Sequence, residues 1–319
     1  MLEEPEEEKS QVKVRAPGNR TLCLDAADRL RLKSELLSPD HLSNAPLPSG
    51  IVNGDSLQLA ARLPSASVDL LFLDPPYNLN RKFGKSSFKK LPVEEYTAWL
   101  DEVLLAFLPG LKPSATVYIC GDWLTSTSIF EIASRHLIVR NRITWEREKG
   151  RGSNSNWKNN SEDIWFCTLG TQYTFNVQDV KHRRPVIAPY RNRDRTPKDW
   201  QESDAGNFRD TFPSNLWTDI SIPFWSMPEN TDHPTQKSEK LLAKLILASS
   251  NPGDLIFDPF LGSGTSCVVA DKLNRNYLGI EKDPEYSLLA LRRLELARDT
   301  KAIQGYQHGV FWPRNQRPR

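Results

Sequence analysis

The densest chemistry in the 319-residue chain is the run Asp74-Pro75-Pro76-Tyr77-Asn78. An exocyclic amine on a heteroaromatic base is a poor nucleophile because its lone pair is delocalised into the ring. A carboxylate and a carbonyl that accept both amine hydrogens favour the pyramidal, attacking form, and Asp74 with the Pro75 carbonyl can supply those acceptors. Pro75 and Pro76 fix the backbone, Tyr77 can stack on the base, and Asn78 is a further candidate contact to that target base. Such catalysis is geometric and electrostatic, without a covalent enzyme intermediate. A stiff Pro-Pro turn after a strand is the plainer reading, but Asp at a strand end followed by Pro-Pro-Tyr is uncommon enough to favour chemistry.

A second constellation is Phe257-Asp258-Pro259-Phe260-Leu261-Gly262-Ser263-Gly264-Thr265. Gly262 and Gly264 let the backbone approach a ligand closely, and the helix that follows turns its N-terminus to a negative group. The spacing is not that of a dinucleotide-binding loop, because Cys267 stands at the third glycine position. A small carboxylate, such as that of a methionine moiety, suits the turn better than a pyrophosphate. Glu281 lies 19 residues after Gly262, near the spacing at which an acid reaches a bound ribose. An isolated Glu would be read as a solvated side chain; a strand end after a glycine turn reverses that reading. His233-Pro234-Thr235-Gln236-Lys237 precedes the next helix, and this segment is expected to fold over the same ligand with Thr235 or Lys237 near its carboxylate.

A third feature is diffuse. Lys149, Arg151 and Lys158, then Arg183, Arg184, Arg191, Arg193 and Arg195, are interleaved with Asn and aromatic residues. Cations neutralise phosphates, and Arg and Asn read base edges. Any one of these residues is more simply a solvated surface group; the region as a whole points to nucleic acid. A net charge of +2 would not make that case unaided.

These residues need a scaffold. Val68–Leu73 is a nearly continuous apolar run, the pattern of a buried parallel strand, and it delivers Asp74 at its carboxyl end. Ile51–Asn53, Thr116–Cys120, Ile138–Trp145, Asp163–Thr168, Leu255–Phe257 and Asn276–Ile280 read as further strands. Helices are expected over 93–108, with apolar residues at helical spacing, over 238–250 as an amphipathic helix, and over 265–273 and 284–298. Strands alternating with helices on both sides of a polar insertion indicate a mostly parallel α/β sheet. A tail and linker occupy 1–50, a catalytic half 51–146, a target-recognition insertion 147–232 that includes the last strands of the catalytic half, a cofactor half 233–300 and a second tail 301–319. A hydrophobic content of 38% supports a substantial core. Cys23, Cys120, Cys167 and Cys267 lack metal-ligand spacing and read as reduced thiols, so no metal is expected. The acidic start, Glu3 to Glu8, does not resemble an export signal, and no apolar run has membrane length.

The three motifs together resemble the DNA amino-methyltransferases, specifically the circularly permuted β group, in which the catalytic block comes first, target recognition second and the cofactor block last. The resemblance covers about residues 51–300. It implies a seven-stranded, mostly parallel S-adenosylmethionine-dependent methyltransferase fold with one antiparallel strand and helices on both faces. It implies S-adenosylmethionine as cofactor, DNA (most simply double-stranded) as partner, and methyl transfer to N6 of adenine after base flipping. Asp74 to Tyr77 match the catalytic block. Phe257, Asp258, Pro259, Gly262, Gly264 and Thr265 match the cofactor loop, with Phe260 and Ser263 between them and Asp258 near the methionine amino group. Glu281 matches the ribose-binding acid, Asp55 an acidic turn at the cofactor adenine, and Trp145 an aromatic residue flanking the target base. Members often serve restriction–modification systems alongside an endonuclease, often pair as dimers, and are prokaryotic or phage-encoded, which implies a cytoplasmic protein without a membrane partner. Ser238 departs from the proline that the family often carries after the lysine. Methylation of cytosine N4 stays open, with Asp74 in place of Ser favouring adenine. Methylation of RNA or of a protein glutamine fits less well, because such enzymes tend to carry Asn first and lack a long basic insertion. A DNA-binding module without catalysis would not need both intact blocks.

Overall fold

The computed structural model describes residues 15–83, 86–147, 154–187, 189–202 and 206–314. The chain order is α1 (Ala26–Lys33), β1 (Gly50–Asn53), α2 (Ser56–Leu59), β2 (Val68–Leu73), the hairpin β3 (Arg81–Phe83) and β4 (Ser86–Phe88), α3 (Val93–Phe107), β5 (Leu111–Gly121), α4 (Thr125–His136), β6 (Ile138–Glu146) and β7 (Ser161–Thr168). Then follow β8 (His182–Pro185), β9 (Phe208–Thr211), β10 (Leu216–Trp217), α5 (Glu239–Ser249), β11 (Leu255–Asp258), α6 (Thr265–Lys272), β12 (Asn276–Glu281), α7 (Pro284–Asp299), β13 (Tyr306–Gln307) and β14 (Val310–Phe311).

Among the described residues the main sheet has eight strands in the order β1-β12-β11-β2-β5-β7-β6-β10. All neighbouring pairs are parallel except those made by β7, which runs against both β5 and β6. The expected seven strands are exceeded by one: the two-residue β10 joins the free edge of β6. The apolar run of β2 is buried on both faces because its side chains alternate between two cores. Leu71 and Leu73 pack with α3 and α4, while Leu70 and Phe72 face α5 and α6. A further core, with Ile51 and Leu261, lies under α1, α6 and α7.

Three stretches read as irregular or half-exposed are tied down. The 38–50 linker contains a short 3₁₀ turn, Pro39–Ser43, that drives Leu42 wholly into the core. Residues 301–314 are not a loose tail: β13 and β14 join β8 and β9 in a second sheet, and Phe311 is fully buried. That sheet helps cover the polar side of α5, so the helix is buried on every side rather than amphipathic at a surface. Its Lys240 and Lys244 both pair with Asp219, at 2.6 and 2.7 Å. Buried cations persist where they are paired and hydrogen-bonded. Among the described residues no helix is long and apolar enough to cross a membrane.

Candidate active site

The strand order decides which residues meet. β1, β12, β11 and β2 are consecutive and parallel, so their carboxyl ends lie side by side. Those ends carry Asp55, Glu281, Asp258 and Asp74. All four line one cleft of about 340 Å³, together with Pro75, Pro76, Tyr77, Pro259, Phe260, Gly262, Ser263, Thr265, Thr235 and Lys237. The Asp74–Tyr77 loop and the glycine turn thus share a cavity although nearly two hundred residues separate them. The size lies in the range of pockets that enclose a small organic ligand, and the wall offers both carboxylates and apolar surface.

The glycine turn is shaped by backbone geometry. Gly262 has φ +55°, and a Cβ there would come within 2.9 Å of the His233 imidazole. Its N–H donates to Oε2 of Glu281 at 2.7 Å, while Oε1 accepts from the Asp283 N–H at 2.8 Å. Gly264, at φ +84°, serves packing instead: a Cβ would lie 2.5 Å from that of Ala290 on α7. Asp258 accepts from the Phe260 N–H at 3.0 Å and from the Ser266 hydroxyl at 2.5 Å. Burial raises the carboxyls of Asp258 and Glu281 to about 7. Desolvation disfavours a carboxylate, and a cation or hydroxyl donor in the cleft would restore it. The acidic acceptors Glu281 and Asp258, the apolar Phe260 and Leu261, and the side-chain-free approach at Gly262 fit S-adenosylmethionine, which combines a cation, a ribose and a purine. Asp55 caps α2 through the Leu57 N–H at 3.2 Å and pairs with Lys282 at 2.8 Å.

Asp74 is held by a residue expected elsewhere. Lys237 was assigned to the cofactor carboxylate, yet its ammonium lies 2.8 and 2.6 Å from the two oxygens of Asp74 and 3.1 Å from the Tyr77 hydroxyl. The Tyr77 hydroxyl itself donates to Asp74 at 3.1 Å. Burial disfavours the charged form of Lys237, but Asp74 and Glu162 outweigh it and hold its pKa above the ordinary value. The carbonyl of Lys237 accepts from the Thr265 hydroxyl at 3.1 Å, which joins the Asp74–Lys237 cluster to the glycine turn. Arg293, from α7, donates to the Ser263 carbonyl and the Thr265 hydroxyl at 3.0 and 2.8 Å. His233 packs edge-on against Tyr286, and burial lowers its pKa to about 3. Sequence reasoning missed Glu162, Arg293 and Tyr286. Each sits in a plain strand or helix pattern and reaches the site only through tertiary packing.

Two residues assigned to a target base are not at the cleft wall. Trp145 is 1% exposed inside the core, where its indole N–H donates to the Ile220 carbonyl at 3.0 Å. Asn78 is buried, and its amide exchanges hydrogen bonds with the backbone of Leu91 at 2.8 and 2.9 Å. It braces the loop after Pro76. The basic residues divide as well. Lys149 and Arg151 lie outside the described residues. Arg183 is occupied by Asp210 at 2.9 Å and stacks on Phe208 at 3.8 Å. Arg191 pairs with Glu202 and covers Trp200. Arg184, Arg193 and Arg195 are exposed, and Lys158 is half-buried.

Residues 68–292 match the DNA methylase family. The chain is 32% identical over 255 residues to the DNA adenine methyltransferase YhdJ of Escherichia coli K12, across 77% of this chain and 83% of that protein. It is 30% identical over 256 residues to the Type II methyltransferase M.BglII of Bacillus subtilis, across 76% and 68%. The fold superposes on the M1.HpyAVI–SAM complex with a TM-score of 0.51 at 22% identity, covering 77% of this chain and 98% of that one.

Proposed function

The chain belongs to the DNA methylase family, and from that premise we propose that it transfers a methyl group to N6 of adenine at a specific site in double-stranded DNA. One observation carries the reading: Asp74-Pro75-Pro76-Tyr77 and the Gly262 turn open into a single cleft. The 32% identity to an adenine methyltransferase supports adenine over cytosine.

S-adenosylmethionine, when bound, supplies an electrophilic methyl group on sulfur. Glu281, Asp258, Asp55 and the turn around Gly262 are the residues that would hold it, with Thr235 beside them. The target amine has to leave the base stack to enter the cleft, since a stacked amino group is out of reach, and unstacking costs a few kcal/mol. Tyr77 offers its ring to the flipped base. Asp74 and the Pro75 carbonyl accept the two amine hydrogens and direct the nitrogen lone pair into the cleft. The acceleration comes from positioning, because reactants held in line avoid most of the entropy cost of meeting. The 147–232 insertion, with exposed Arg184, Arg193 and Arg195, is the part suited to contact DNA phosphates and bases. Relatedness to a Type II methyltransferase supports a place in a restriction–modification system, and the pairing habit of the family supports a homodimer.

The test is to methylate duplex DNA with labelled donor, digest it to nucleosides and separate them by mass spectrometry. Label in N6-methyl-2′-deoxyadenosine is the expected result. Label in N4-methyl-2′-deoxycytidine would move the target base, and no transfer would remove the assignment.

A further inference from the structure

Lys237 stands between two carboxylates from distant parts of the chain. On one side are the Asp74 oxygens, at 2.6 and 2.8 Å. On the other is Oε2 of Glu162, at 3.4 Å. Glu162, the second residue of β7, is 3% exposed and accepts from Arg147 through Oε1. Its Oε2 accepts no hydrogen bond from any described residue. A buried acceptor left without a donor costs about 1–3 kcal/mol, more when charged. The Lys237 ammonium, 3.4 Å away, is committed to Asp74, and Nε of Arg147 is a second buried donor that makes no hydrogen bond to it.

The Asp74 oxygens held by Lys237 are also the acceptors that a target amine requires. An ammonium and an aromatic amine present similar N–H donors, so Lys237 fills that position before a base arrives. Resting on the reading of Asp74 as the amine acceptor, we propose that Glu162 is a positioning residue that receives the Lys237 ammonium when the target amine takes over Asp74. A move from 3.4 Å to the ~2.8 Å of a charge-assisted hydrogen bond completes the exchange. No covalent bond changes and the lysine keeps its proton, so the buried charge stays paired throughout. The groups facing the ammonium are Asp74 and Tyr77 after β2, Cys120 at the end of β5, Glu162 with Arg147 behind it, and His233 from its own segment. Burial holds Tyr77 and Cys120 protonated, and His233 is neutral, so the exchange is between the two carboxylates.

The experiment is single-turnover methyl transfer to duplex DNA, with donor saturating, across neutral to alkaline pH. Glu162→Gln leaves the lysine one carboxylate and no second seat, so transfer at neutral pH is expected to fall by about tenfold or more. Losing a negative neighbour also lowers the pKa of Lys237. The variant's rate should therefore climb with pH as the lysine discharges and frees Asp74, a rise absent from wild type. Glu162→Asp keeps the charge and should recover most of the neutral rate, with a smaller rise of the same sign. A wild-type rate in Glu162→Gln, or a loss equal at every pH, overturns the proposal. If Glu162→Gln does not fold, a flat profile in Glu162→Asp overturns it instead. Asp74→Asn, run in parallel, separates the two ideas: full activity there would sink the role of Asp74 whatever Glu162 does.

Discussion

The backbone N–H of Gly262 donates to the Glu281 carboxylate at 2.7 Å, so the turn after one strand is fastened to the acid that ends the next. Ligand approach and the orientation of the acid are thereby set by one contact. Gly262→Asp places a Cβ against His233 in a left-handed backbone and adds a charge beside Glu281. Strain of this kind costs about 1–3 kcal/mol before repulsion is counted. Binding of S-adenosylmethionine, followed by calorimetry, should weaken by about a hundredfold or more; an unchanged Kd would contradict the role of the turn.

Asp74→Asn preserves shape but removes the charge that Lys237 and the amine share. Methyl transfer should drop by about a hundredfold or more, with donor affinity within a few-fold of wild type. Thermal unfolding should also shift downwards, because Lys237 keeps a single carboxylate neighbour. Transfer near the wild-type rate would refute the assignment.

Burial holds the Asp258 and Glu281 carboxyls at about 7, against ordinary values near 4. Between about pH 4 and pH 7 the folded protein therefore binds protons that the unfolded chain has released. The stability these two acids contribute is fully present below that window and falls as pH rises through it. Donor affinity runs the other way, because the ligand's cation and hydroxyls need carboxylate acceptors. Each acid should make affinity rise by up to about tenfold per pH unit below pH 7. Calorimetry across that range should show the rise, and Glu281→Gln should remove its own share; a pH-independent Kd in wild type would exclude it.

Trp145→Phe tests whether this ring meets a target base. Its position in the core, with a hydrogen bond to the Ile220 carbonyl, makes it a stability residue. The single-turnover rate should be unaltered, and Trp145→Ala should cost about 3–5 kcal/mol in denaturant unfolding. A large rate loss in the Phe variant at unchanged stability would restore the base contact.

Arg193 and Arg183 should behave differently. Arg193→Ala should weaken DNA binding evenly across sequences and lower the salt slope by about one. Arg183→Ala breaks the pair with Asp210 and the contact with Phe208, so it should loosen β8 and β9 and lower the melting midpoint. An unchanged salt slope for Arg193 would remove it from the phosphate-contacting set.

The sequence by itself determined the chemistry and the class of scaffold. Asp74-Pro75-Pro76-Tyr77, the Gly262 turn and Glu281 each follow a short apolar run, and strand-then-turn is a local pattern that composition and spacing express directly. The same locality fixed β2, α3 and α6 to within a few residues. Tertiary structure decided which groups touch. Lys237 reads as one polar residue in a loop, and Glu162 as a charge at the start of an apolar strand. Their meeting depends on β7 pairing antiparallel to β5, a long-range choice invisible in either segment. Trp145 looks like a free aromatic residue until the neighbouring elements cover it, and α5 reads as amphipathic until Asp219 pairs with its lysines. Burial is a property of the whole packed molecule. A residue's neighbours in sequence specify its backbone pattern, but its partners in space specify its charge and accessibility.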